Sequence, residues 1–293
     1  MAARFRASIV LPRLYPPASA TFKAAPLFKR ICGPPVIRVQ TYAKMSQSHA
    51  CCTVPPVVAD GYKEKGEWIT INGMKTYATG LKDAKTALLV VYDIFGFSPQ
   101  TLQGADILAT GDKERQYQVF MPDFFDGQPA DISWYPPDTD AKGKKLGEFF
   151  STAAAPPKTL ERVPKVLDEI QSQRSSIQQW GIVGYCWGGK IVNLSSQKDT
   201  RFKAAASCHP AMVDENDAPG ITIPFAMLPS KDEPKEDVEK WQKAVKTKNI
   251  VQWWPNQVHG FMAARGDLKD PAVEADYKKA YELLLNFFHE HLN

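Results

Sequence analysis

Gly181-Ile182-Val183-Gly184-Tyr185-Cys186-Trp187-Gly188-Gly189-Lys190 reads as a strand, a sharp turn and the start of a helix. A short apolar run reaches Tyr185, and helix-compatible sequence follows from Lys190 to Gln197. The glycines around Cys186 let strand and helix backbones approach closely, as a nucleophile elbow requires. Cys186 stands where the nucleophile belongs. At a helix N-terminus, free N–H groups and the macrodipole favour an anion, and the thiolate is the nucleophilic form of cysteine. The backbone N–H of Trp187 would supply half of an oxyanion hole. The competing reading is a buried structural cysteine in a glycine-rich turn. With five Cys and 18 Gly in 293 residues, chance supplies roughly 0.02 Gly-x-Cys-x-Gly matches, which favours the reactive thiol. The chain has no Gly-x-Ser-x-Gly, so no serine competes.

Upstream of the elbow, Glu67 to Ile71 and Lys75 to Ala78 flank Asn72-Gly73, the signal of a hairpin. Ala87 to Tyr92 is a continuous apolar run, as in a strand buried on both faces. It ends in Asp93-Ile94-Phe95-Gly96-Phe97, and helix-compatible sequence runs from Pro99 to about Glu114. Gln118 to Met121 reads as a strand, Phe124 to Pro137 as a rim loop, and Ala141–Thr152 and Pro157–Arg174 as helices. After the elbow come strands at Phe202–Ser207, Ile223–Leu228 and Ile250–Trp254, with helices at Glu236–Thr247 and Ala272–His291. Two antiparallel strands followed by repeated βα units predict an α/β fold, a mostly parallel central sheet with helices on both faces. Ligands bind beyond the strand C-termini of such sheets. Cys186, Asp93, Asp232 and His259 all fall there.

In an elbow fold the chain order is nucleophile, acid, histidine. Of five histidines, His49 precedes the domain, and His289 and His291 lie on the terminal helix, where exposure is expected. His209 follows the strand after the elbow and is expected to line the pocket or to hydrogen-bond a loop. His259, in Val258-His259-Gly260-Phe261 after the last strand, stands where the base belongs. The acid should follow Ile223–Leu228, where Pro229-Ser230-Lys231-Asp232-Glu233-Pro234 offers Asp232 first and Glu233 as its rival. A carboxylate on one imidazole nitrogen fixes the tautomer and steadies the imidazolium.

With these residues, roughly 50 to 293 resemble the dienelactone hydrolase family of the α/β-hydrolase superfamily, its fungal members most of all. The resemblance rests on Gly184-Tyr185-Cys186-Trp187-Gly188-Gly189, Asp232, His259-Gly260-Phe261 and Asp93-Ile94-Phe95-Gly96. It implies a carboxylic ester hydrolase of the carboxymethylenebutenolidase type, working through Cys186, Asp232 and His259 and a thioester. By resemblance, Asp93 takes the place of a Glu that contacts the resting thiol, the Ile94 N–H completes the oxyanion hole, and Arg265 binds a substrate carboxylate. Aromatic residues in rim loops, among them Phe95, Trp134, Tyr135, Trp187 and Phe261, suggest a small, partly hydrophobic acyl group. The implied partner is a small ester or lactone; no metal, organic cofactor, nucleic acid or membrane is implied. Two other classes remain. One is a redox-sensing thiol protein, for which Cys208 is the candidate resolving cysteine. The other is a non-catalytic binding protein on the same fold.

Composition sets the frame. At 44% hydrophobic and 11% aromatic content the chain can bury one large core. Its net charge of +4 is unevenly spread: residues 1–59 hold eight Lys/Arg and no acid, leaving 28 basic against 32 acidic residues, a net of −4, in the rest. That balance argues against a nucleic-acid surface. The Arg-, Ser- and Ala-rich stretch 1–44 has the composition of a mitochondrial transit peptide, or is a disordered extension, and 45–293 forms the domain. The expected location is mitochondrial if 1–44 act in import and cytoplasmic if translation starts at Met45. Five cysteines, Cys32, Cys51, Cys52, Cys186 and Cys208, fit a reducing compartment.

Overall fold

The protein is described here by a computed structural model covering residues 57–292. The stretch 1–44 and Cys32, His49, Cys51 and Cys52 lie outside the described residues. Asn72 and Gly73 take φ of 53° and 74°, the left-handed pair that a tight hairpin turn demands. Strand β1 (Glu67–Ile71) therefore folds back antiparallel on β2 (Met74–Gly80), with Ile71 opposite Met74. The chain then alternates through β3 (Thr86–Val91), α1 (Pro99–Thr110), β4 (Tyr117–Pro122), α2 (Asp140–Ser151), α3 (Pro156–Gln173), β5 (Gln179–Tyr185), α4 (Trp187–Ser195), β6 (Phe202–Cys208), β7 (Phe225–Leu228), α5 (Lys235–Ala244), β8 (Asn249–Val251) and α6 (Pro271–His291).

The eight strands form one sheet in the order β1-β2-β4-β3-β5-β6-β7-β8, antiparallel at β1, β2 and β4 and parallel from β4 onward. Leu88 to Val91 are all fully buried. Successive strand residues point to opposite faces, so both faces of the sheet are covered, and this is why β3 reads as an unbroken apolar run. This is the α/β-hydrolase architecture that the sequence predicts. β4 and β5 flank β3 on opposite sides. The order reverses there, and a crevice opens above the C-terminal ends of β3 and β5. Asp93–Phe97 and Cys186 sit at that crevice.

Three elements end three or four residues sooner than the sequence suggests. α1 stops at Thr110, because the Asp112 carboxylate accepts the N–H groups of Glu114 and Arg115 and turns the chain. α5 stops at Ala244, where Val245 turns extended. β8 stops at Val251, and Trp254 meets Ser230 only through a single bridge. No described helix is long and apolar enough to cross a membrane.

Candidate active site

The elbow is built by close packing. A Cβ on Gly184 would stand 2.2 Å from the Gly188 carbonyl oxygen, and one on Gly188 would stand 2.1 Å from that of Val91. Only glycine fits at either place, so the end of β5 and the start of α4 are pressed together. Between them Cys186 is held at φ 53°, ψ −115°, a left-handed conformation that costs a side-chain-bearing residue on the order of 1–3 kcal/mol. Its N–H donates to Cys208 O on β6 at 3.1 Å, and its carbonyl accepts from Gly189 and Ala211. Cys186 as a whole is 7% exposed, at the crevice.

The turn after β7 sets the acid. Glu233 folds inward, 5% exposed, and one carboxylate oxygen accepts the Ser230 N–H while the other lies 2.6 Å from His259 Nδ1. The imidazole borders the same cleft as the Cys186 thiol and interacts with it electrostatically, which puts thiol, imidazole and carboxylate side by side. Burial works against a charged ring at His259. The Cys186 sulfur and the Glu233 carboxylate outweigh it and push the imidazole pKa up to about 10. Asp232, the first choice from sequence, does not meet the ring: its carboxylate accepts the backbone N–H of His259 at 2.8 Å and stays solvent-exposed. The two carboxylates are neighbours on one tight turn, and the longer side chain is the one turned beneath the imidazole.

Asp93 also departs from expectation. Its oxygens accept the N–H groups of Phe95 at 2.8 Å and Ala264 at 3.2 Å, rather than the thiol. It ties the loop after β3 to the segment after His259. Burial pushes its pKa up to about 6 against those two hydrogen bonds. The loop it braces carries Ile94, whose carbonyl accepts from Ala130. Neither the Ile94 nor the Trp187 N–H meets a protein acceptor among the described residues.

His209 neither lines the cleft nor bonds a loop. It is fully buried, both ring nitrogens lack a protein partner among the described residues, and its ring centroid lies 5.3 Å from that of His259. Burial and the neighbouring His259 hold its pKa well below the usual range. It is a neutral wall behind the charged ring. Phe261 and Trp187 are likewise fully buried, Phe261 against His209 and Trp254, Trp187 with its indole N–H on Ala154 O. Both support the site from beneath instead of facing a ligand. Phe95 is half-buried, edge-on to Tyr135. Arg265 donates to His259 O at 2.6 Å, with its guanidinium carbon 4.6 Å from the Tyr135 ring centroid.

The thiol opens on a cleft lobe of about 420 Å³ lined by Ile94, Tyr135, Pro137, Gly143, Leu146, Phe150, Cys186, Ala211, Asp232 and His259. A second lobe of about 250 Å³ shares Ala211, Asp232 and His259 and adds Met212, Val213, Glu233 and Asp237. The contribution of α2 was absent from the sequence reading. Its signal was the apolar spacing of Leu146, Phe149 and Phe150 on an otherwise charged helix. Cys208 lies fully buried on β6, and burial pushes its thiol pKa up, which opposes the thiolate that a resolving cysteine needs. Among the described residues no cluster of three or more His, Cys, Asp or Glu is placed to hold a metal.

Comparison with known proteins agrees with this architecture. An uncharacterised AIM2 family protein of Schizosaccharomyces pombe is 32% identical over 248 residues, covering 82% of this chain and 98% of that protein. The human carboxymethylenebutenolidase homolog is 25% identical over 240 residues, covering 79% and 93%. The crystal structure of a putative dienelactone hydrolase from Klebsiella pneumoniae shares the fold, with a TM-score of 0.61 at 21% identity, over 77% of this chain and 98% of that one. The model of the dienelactone hydrolase family matches residues 74–292, and the chain belongs to that family of hydrolases.

Proposed function

We propose that the protein hydrolyses small carboxylic esters or lactones through a thioester on Cys186, with His259 as acid and base and Glu233 as the orienting carboxylate. The observation that carries this reading is the His259–Glu233 hydrogen bond beside the Cys186 elbow, with thiol and imidazole lining one apolar cleft. It replaces the expected Asp232 with Glu233, on the ring contact described above. The name of the human relative, a carboxymethylenebutenolidase homolog, supports the same reaction class.

The chemistry follows from the geometry. The Cys186 sulfur attacks the carbonyl carbon, a C–S bond forms, and the oxygen gains negative charge. The free N–H groups of Ile94 and Trp187 stabilise that charge. Collapse breaks the C–O bond, and the departing alkoxide takes the proton of the His259 imidazolium. The sulfur is now an uncharged thioester. The charge that raised the His259 pKa has gone, so the ring is free to accept a proton from water. Hydroxide attack breaks the C–S bond and restores the resting pair. In a lactone the leaving oxygen stays tethered, and the product is a hydroxy acid or its keto tautomer.

The test is hydrolysis of a panel of activated esters and unsaturated lactones by the full chain beside Cys186→Ala. Turnover by the first and none by the second is expected. Equal rates in both proteins would move the chemistry elsewhere.

A further inference from the structure

The charges around the thiol are unlike those an anionic substrate would need. The larger lobe is walled by Ile94, Tyr135, Pro137, Leu146, Phe150 and Ala211, and its charged side chains are Asp232 and His259. The smaller lobe adds Glu233 and Asp237. Apart from the imidazole, every charged group lining either lobe is acidic. Arg265, the one cation expected to receive a substrate carboxylate, is turned away from this task. Its Nη1 donates to His259 O and to the Tyr135 hydroxyl, its guanidinium lies against the Tyr135 ring, and it is not among the residues lining either lobe.

From this arrangement we infer that the site selects uncharged esters and lactones with an apolar acyl part and rejects those bearing a carboxylate, with Asp232 as the residue that sets the discrimination. The inference rests on the ester-hydrolase reading above and narrows its substrate class. Two effects act together. A carboxylate entering the larger lobe loses water to largely apolar walls that carry no Lys or Arg. It also meets the Asp232 carboxylate at the mouth, and the carboxylates of Glu233 and Asp237 in the smaller lobe bear the same sign. Like charges placed together in this way are an established route to selectivity. A neutral acyl chain suffers neither penalty and gains from contact with Leu146 and Phe150.

The experiment uses a matched pair, para-nitrophenyl hexanoate and mono-para-nitrophenyl adipate, which share leaving group and chain length and differ at the far end in a methyl or a carboxylate. Each is assayed with the full chain, with Cys186→Ala to set the uncatalysed rate, and with Asp232→Asn. The expected result is a kcat/KM at least about tenfold higher for the hexanoate, with the ratio narrowing in Asp232→Asn because the adipate gains. Equal values, or a preference for the adipate, would overturn the selectivity while leaving the hydrolase reading intact. A ratio unmoved in Asp232→Asn would overturn the role of Asp232. Failure of the full chain to exceed Cys186→Ala on both esters would overturn the hydrolase reading and this inference with it.

Discussion

His259 and His289 each hold Nδ1 2.6 Å from a buried carboxylate oxygen, Glu233 Oε1 in one case and Asp112 Oδ2 in the other. The burial of the two pairs is also alike, with imidazoles 19% and 17% exposed and carboxylates 2% and 1%. What lies on the far side of each ring is different. The His259 ring borders an apolar cleft that the Cys186 thiol also lines. His289 sits on α6 with Nε2 3.9 Å from the Glu114 carboxylate, and Arg115 donates to the carbonyls of His289 and Leu292. That second pair ties the end of α6 to the connection between α1 and β4. The contrast shows that an imidazole–carboxylate pair is a fastening by itself. Under the proposed function, the first pair serves catalysis because a thiol and an opening adjoin it.

The largest effect is expected at the group that separates the two pairs. Cys186→Ala should lower ester turnover to background, by about 10⁴-fold or more, while circular dichroism and the thermal transition show the fold retained. Glu233→Gln should follow, with kcat/KM reduced on the order of 10²- to 10⁴-fold. Its pH profile adds a second readout. In the proposed mechanism the imidazolium donates the leaving-group proton, so wild-type kcat/KM should fall as pH rises through about 10, where His259 loses that proton. Glu233 favours the charged ring, so its removal should shift this fall to lower pH. Asp232→Asn should cost less than about tenfold on a neutral ester, since it bonds the His259 backbone and not the ring. A greater loss there than in Glu233→Gln would return the acid's role to Asp232 and break the comparison. Asp112→Asn should leave kcat/KM unchanged and lower unfolding stability by about 1–3 kcal/mol in urea titration. Lost activity in that folded variant would show that the two pairs are coupled.

The sequence carried most of the fold because its signals were local. Asn72-Gly73 marked the hairpin, the run at Ala87–Tyr92 marked a strand covered on both faces, and the glycines around Cys186 marked the elbow. The position of His259 was legible from chain order. The contest between Asp232 and Glu233 was not, because adjacent residues on one turn are separated only by which side chain folds inward, and the Ser230 N–H that captures Glu233 leaves no trace in composition. Charged residues were misread for the same reason. His289 was expected in solvent and is held by Asp112, far away in sequence. Asp93 was expected on the thiol and instead braces Phe95 and Ala264, 171 residues apart in the latter case. Phe261, Trp187 and His209 lay close to the nucleophile or base along the chain and were expected near the substrate. The sheet packs them beneath the site, where aromatic bulk fills the core.

The most direct measurement is intact-protein and peptide mass spectrometry of the full chain quenched during turnover of an activated para-nitrophenyl ester. The acyl mass should appear on the peptide containing Cys186, persist longer in Glu233→Gln, and be absent from Cys186→Ala. Acyl mass on a different residue, or sustained Cys186-dependent turnover with no acyl enzyme trapped at any quench time in either the wild type or Glu233→Gln, would contradict a thioester mechanism at the elbow.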